Sequence, residues 1–207
     1  HALTLGPANE HFSADYPGVA CRHLEAALDG APALFLNGAA GNLHPRQCMR
    51  EGREATEAIG RRLGEGAVEA LSRAAPAEAE AMGFASTRLT FPHRSAPDVE
   101  VSVELSCLAA GRVVAAFVPG EPFVALQAQF KRAVRPRVGV LAGYANAWCG
   151  YIPYREDYAH GGYGVDEDRR FAEAPPRYSF TALPPGAAER IEAELSVLAG
   201  RAAPPEP

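Results

Sequence analysis

Apolar and polar residues alternate with the period of a β-strand over two neighbouring stretches. From 99 to 108, Val99, Val101, Val103, Leu105 and Cys107 fall on one face and Glu100, Ser102, Glu104 and Ser106 on the other, the pattern of a half-exposed strand. Residues 84–91 read the same way. After the Ala109-Ala110-Gly111 turn, residues 113–118 are almost continuously apolar, which predicts a central strand covered on both faces. Ala33-Leu34-Phe35-Leu36 is a shorter apolar run ending in Asn37-Gly38, read as a buried strand that delivers a glycine-rich turn. A further strand is expected over 138–144.

Helical spacing fills the intervals. Between residues 50 and 74, Ala55, Ile59, Leu63, Ala67 and Leu71 recur every four positions with Arg and Glu between them, giving an amphipathic helix stopped by Pro76. Gly60, Gly64 and Gly66 weaken that helix and mark close packing. Phe123, Leu126, Phe130 and Val134 make a second stripe, with Pro122 suited to the first turn and Pro136 ending it. Ile191, Leu195 and Leu198 place a last helix over 187–199, ahead of a Pro-rich tail expected to fray from about residue 200. No repeat and no linker divides the chain. The expected fold class is mixed α and β (α+β): layered β-sheets covered by helices in a single domain.

Composition narrows the partners. At about 150 residues per domain, 207 residues are ample for a core, and 47% hydrophobic with 22% charged residues excludes a disordered chain. Twenty Lys and Arg against 25 Asp and Glu leave a net charge of -5, so no nucleic-acid partner is expected. No run approaches the roughly 18 apolar residues of a membrane span, and no signal peptide is visible. Four cysteines occur without a C-x-x-C pair, so a structural zinc knuckle is not expected and their bridging is left open. The sequence opens at His1 without methionine, from which an upstream segment of a longer protein is expected to be missing; localisation is left unassigned.

Candidate chemistry collects where strands end and loops converge. His1 precedes Leu3-Thr4-Leu5, followed by Ser13-Ala14-Asp15 and Gly18. Residues 37–45 read N-G-A-A-G-N-L-H-P, a loop of small residues presenting Asn42 and His44. Glu121 stands where a buried strand meets a helix start. Residues 144–163 gather Tyr144, Asn146, Tyr151, Tyr154, Tyr158, His160 and Tyr163 around several glycines. Each also has an ordinary reading: an exposed terminal histidine, a dipole-favouring glutamate, a loop histidine satisfied by backbone, a structural Tyr/Gly loop. The sequence contains no phosphate loop, dinucleotide fingerprint, H-E-x-x-H or G-x-S-x-G elbow.

Taken in order, the four segments resemble the neutral/alkaline (non-lysosomal) ceramidases, zinc-dependent amidases that hydrolyse N-acylsphingosine. His1 with Thr4 and then Ser13-Ala14-Asp15 resembles the family's second zinc-histidine segment. Gly41-Asn42-Leu43-His44-Pro45 is similar to its G-D-V-S-P loop, and Pro119-Gly120-Glu121 to the P-G-E segment of its zinc glutamate. Tyr144-Ala145-Asn146 with Tyr151-Ile152-Pro153 resembles the segment of its zinc tyrosine, and Tyr163 falls at the spacing of a second active-site tyrosine. The resemblance implies that residues 1–207 form the C-terminal part of a catalytic domain of the shorter bacterial type. It implies Zn²⁺ held by His1, Glu121, Tyr151 and a histidine of the missing upstream segment, with His44 and Tyr163 catalytic and Gly41, Asn42 and Asn146 lining the substrate loop. The substrate would be N-acylsphingosine or another lipid-like or small amide. In the loop, Asn42 stands for the family's aspartate and His44 for its serine. Two alternatives remain: a non-catalytic domain without a complete metal site, and a hydrolase of an unrelated amide or ester.

Overall fold

A computed structural model of the chain describes residues 1–49, 52–76, 81–166 and 182–203. They belong to two compact units, one formed by residues 1–36 and 44–76, the other by 37–43 and 77–207.

The first unit pairs α1 (Asp15–Ala27) with α2 (Gly52–Ser72). Glycine sets their separation. A Cβ on Gly60 would lie 2.4 Å from Cβ of Val19 and 2.6 Å from the Tyr16 carbonyl oxygen, and one on Gly64 would meet the His23 ring at 2.9 Å. The buried positions of α2 are therefore Ala55, Thr56, Gly60 and Gly64. This corrects the expected stripe: Leu63 and Leu71 are exposed, because the helix turns its glycine face, rather than its leucines, to α1. Helix α1 was not anticipated from the pattern. Its first residue, Asp15, sits at φ 52° and is buried. The carboxylate accepts hydrogen bonds from the Thr4 hydroxyl, from Leu5 N at 2.9 Å and from Tyr16 N at 2.7 Å. Burial alone would raise its pKa, but these bonds outweigh it and hold the carboxyl below the usual range.

The expected strand at Ala33-Leu34-Phe35-Leu36 does not form. The segment is irregular, with Leu34 85% and Leu36 50% exposed. A strand needs a neighbour for its backbone groups, and among the described residues none pairs with it.

The second unit is built on a sheet of order β1-β2-β3-β5. Strands β1 (Met82–His93) and β2 (Ala96–Ala110) form a long antiparallel hairpin, β3 (Val113–Phe117) lies antiparallel to β2, and β5 (Val138–Ala142) runs parallel to β3. Parallel neighbours require a crossover, supplied by α3 (Val124–Ala133). It runs so close to β5 that a Cβ on Gly139 would lie 3.1 Å from Cα of Lys131. After the short α4 (Asp157–His160), helix α5 (Ala187–Arg201) joins α3 on the same side, burying Ile191, Leu195 and Leu198 with Leu89, Val103, Leu105, Val114, Ala116, Leu126 and Phe130. These are the apolar face expected for 99–108 and the stripes expected for 123–134 and 187–199. The expectation for 113–118 needs one correction: Val114, Ala116 and Val118 are buried, but Val113, on the opposite face, is 38% exposed. Helix α5 persists through Arg201 with Ala202 buried; residues 204–207 of the tail lie outside the described residues. The mixed α and β class stands as expected. Among the described residues no helix is long and apolar enough to cross a membrane.

Candidate active site

Parallel strands carry their loops to a common edge, and sites form outside the carboxyl ends of such strands. Here β3 and β5 end side by side, and the chain leaving each is fastened to the other. Val118 N donates to Ala142 O (2.9 Å), Ala145 N to Val118 O (3.1 Å) and Tyr144 N to Gly120 O (2.9 Å). The segment after β3 becomes β4 (Glu121–Pro122), which pairs in parallel with β6 (Tyr151–Ile152), placing Glu121 opposite Tyr151. Gly120 makes this possible. Its φ is +72°, and a Cβ there would lie 2.3 Å from Gly150 O and 2.9 Å from Cys149 Sγ, so only glycine serves.

Glu121 is 5% and Tyr151 3% exposed. A buried carboxylate is costly unless hydrogen-bonded, and two tyrosines provide the bonds: the hydroxyls of Tyr144 and Tyr151 both engage it, and Tyr151 also bonds Tyr163. Burial first, and then Glu121, drives the Tyr144 phenol far above its ordinary pKa; burial, the bond to Tyr163 and Glu121 do the same for Tyr151. Both phenols keep their protons through the neutral range and act as donors. The rings form a continuous aromatic wall. Tyr144 stacks on Trp148 (centroids 5.8 Å apart, planes 23° apart), Trp148 meets Tyr151 edge to face at 6.5 Å, and Tyr151 meets Tyr163 at 5.6 Å. Phe123 also meets Tyr151 edge to face, with centroids 6.5 Å apart. Tyr163, Tyr144 and Trp148 are exposed at the rim.

The small-residue loop joins this site. Gly41 N donates to Pro122 O at 2.9 Å, and a Cβ on Gly41 would strike Glu121 O at 2.5 Å. Asn42 Oδ1 accepts from Val124 N at 2.9 Å, capping the first turn of α3 from outside the helix. Ala39 N is held by Gln127 Oε1 at 3.0 Å.

Of the residues singled out in the sequence, Gly41, Asn42, Glu121, Tyr151 and Tyr163 thus converge in the second unit. Asn146 lies in the same loop as Tyr144, exposed and at φ 68°. His1 and His44 belong to the first unit. His1 is half-buried, and His44 is exposed with Nδ1 3.1 Å from the Pro45 carbonyl oxygen. Two contributors escaped the sequence reading as site residues: Tyr144, seen only as part of a motif, and Trp148, whose sole signal was being the one tryptophan. Among the described residues no three His, Cys, Asp or Glu side chains gather to hold a metal ion.

Two solved structures share this architecture. The chain superposes over 96% of its length on neutral ceramidase from Pseudomonas aeruginosa with a TM-score of 0.68 and 16% identity. The fold is ceramidase-like. A second ceramidase structure, complexed with C2, matches with a TM-score of 0.67 and 15% identity, again over 96% of the chain. The chain spans 42% and 44% of these two ceramidases, less than half of their length. No family model matches the sequence, and no curated protein matches it. The likeness to ceramidases therefore lies in the fold, and it is the reading reached from the four short motifs.

Proposed function

We propose that this chain is part of a ceramidase-like zinc hydrolase that cleaves the amide bond of a lipid-like or small amide. The observation that carries the reading is the convergence of Glu121 with Tyr144, Tyr151 and Tyr163 at the carboxyl ends of two parallel strands, within a ceramidase-like fold.

Glu121 and Tyr151 are two oxygen donors side by side, half of the four ligands that zinc usually takes. On this reading His1 and a histidine from outside these residues supply the nitrogen half. When bound, zinc lowers the pKa of water towards neutrality and polarises a carbonyl. The chain's own groups do the rest. Glu121, anchored through β4 and Gly120, keeps its oxygens in one place. Tyr163 offers a hydroxyl to the carbonyl oxygen as negative charge develops there. The imidazole of His44 takes a proton from water or gives one to the departing amine. Gly41 and Asn42 fasten the small-residue loop against β4 and α3 beside the site, and the aromatic rim supplies an apolar wall for the substrate's hydrocarbon portion.

The test is zinc analysis of the polypeptide expressed from its whole reading frame, with and without Glu121→Ala, followed by hydrolysis of a panel of N-acyl amides. About one zinc per chain, lost in the variant together with amide hydrolysis, is the expected result. Stoichiometric zinc retained in Glu121→Ala would remove Glu121 from the ligand set. Absence of zinc and of hydrolysis in the parent would favour the non-catalytic relative.

A further inference from the structure

The side of the four-stranded sheet away from α3 and α5 changes from apolar to polar along the strands. At the end of the four-stranded region nearest Met82, cross-strand register lines up Met82, Ala110, Val113 and Val138 in one row and Phe84, Leu108, Ala115 and Val140 in the next. Every one of these positions is apolar, and none is buried: Met82 is 73%, Phe84 64% and Val138 54% exposed. The rows span three strand spacings, about 14 Å across. The third four-stranded row, Ser86, Ser106, Phe117 and Ala142, is mixed, with Ser106 and Ala142 buried, and where only β1 and β2 continue the same face reads Arg88 with Glu104 and Thr90 with Ser102. Arg88 and Glu104 form an ion pair there at 2.8 Å.

A hairpin facing water alternates apolar-in with polar-out, and the outer half of this hairpin obeys that rule. The first two four-stranded rows break it on all four strands at once. Scattered exposed apolar residues are ordinary, whereas a contiguous uncharged patch marks an interface. We infer that this apolar part of the face is covered in the complete protein by a further layer of its own polypeptide, from outside these 207 residues. The matched ceramidases point to that occupant. This chain uses 96% of its own length in the superposition yet accounts for only 42% and 44% of theirs, so a ceramidase-like fold has more than half of its polypeptide with which to cover such a face. The inference does not depend on zinc or on any catalytic role.

Thiol accessibility tests it. Val140→Cys and Thr90→Cys are made separately in the polypeptide purified whole from its own reading frame, and maleimide modification is followed peptide by peptide in native buffer. The introduced thiol at position 140 is expected to react at least about tenfold more slowly than the one at position 90, independently of protein concentration. Equal rates in the folded protein would overturn the inference. Protection that disappears on dilution, in step with dissociation of a dimer seen by light scattering, would assign the face to a second copy and overturn the occupant. Should Val140→Cys fail to fold, Ala115→Cys in the same row gives the same comparison.

Discussion

Glu121 and Tyr151 face each other across a parallel pair of strands only two residues long, and that short ladder is what holds a carboxylate and a phenol together in the interior. The pairing continues on both sides: Glu121 N donates to Gly150 O at 2.9 Å and Phe123 N to Ile152 O at 3.3 Å. The geometry of the site is thus fixed by backbone, and its charge is managed by side chains arriving from the loop after β5.

Tyr144 is the side chain whose contribution is most separable. Tyr144→Phe keeps the ring stacked on Trp148 and removes only the hydroxyl directed at Glu121. Hydrogen bonds that orient a ligating carboxylate typically matter by 10–100-fold in metal affinity. On the proposed zinc reading, the variant is expected to keep its thermal midpoint within a few degrees while its zinc affinity falls roughly tenfold in a competitive titration. Parent-like affinity would reduce the Tyr144 hydroxyl to a packing detail.

Two glycines of α2 should respond to alanine with opposite signs. At Gly60 the added Cβ meets Val19 and the Tyr16 backbone, whereas at Gly66 nothing lies within 4 Å. Alanine is favoured over glycine inside a helix by about 1 kcal/mol, so Gly66→Ala is expected to raise the urea midpoint. Gly60→Ala must push α1 away and is expected to lower it, with a loss of about 1–3 kcal/mol of stability, the usual cost of overpacking. Two midpoints moving in the same direction would contradict the packing of α1 on α2.

Gly120→Ala tests the turn that presents Glu121. The substitution combines a positive φ with a 2.3 Å approach to Gly150 O, which no rotamer change relieves. Backbone strain alone costs about 1–3 kcal/mol, and the clash must also pull β4 away from β6. Loss of cooperative unfolding or a marked fall in stability is expected by circular dichroism, and unchanged stability would mean that the turn is not built as described.

These glycines show where sequence reading succeeds and where it stops. The alternation in 99–108 was legible because one sheet face is buried and a period of two then has a single solution; the same holds for Leu126 and Phe130 on α3. Glu121 was legible because it follows a buried strand. The run at 33–36 misled because hydrophobicity announces that a segment wants a partner, not that one is present. In α2 the leucines misled for the converse reason: glycine adds no hydrophobic signal yet sets the closest approach. Helix α1 was missed because its buried residues, Asp15, Pro17, Val19 and Ala20, make a poor apolar stripe. Nothing local to Tyr144 reveals its bond to Glu121, which exists because two parallel strands end together.

The buried thiols give a prediction about alkaline pH. All four cysteines are unbridged. Cys107 lies in the core with Sγ 3.9 Å from Leu195 O, and Cys149 lies under the Glu121 turn with Sγ 3.4 Å from Pro119 O. Burial pushes the first thiol up from 9.0 to about 11 and the second from 9.0 to about 12. A raised pKa means that the folded chain keeps protons the unfolded chain releases. The associated stability is whole below about pH 9 and is lost as pH climbs through 11 and 12. Each thiol steepens the fall by about 1.4 kcal/mol per pH unit once the unfolded form has ionised. The urea midpoint is therefore expected to hold steady from pH 7 to about 8.5 and to drop from about 9 upward, with Cys149→Ala flattening part of the drop. A midpoint that stays level to pH 10.5 would mean that these thiols are not enclosed as the fold describes.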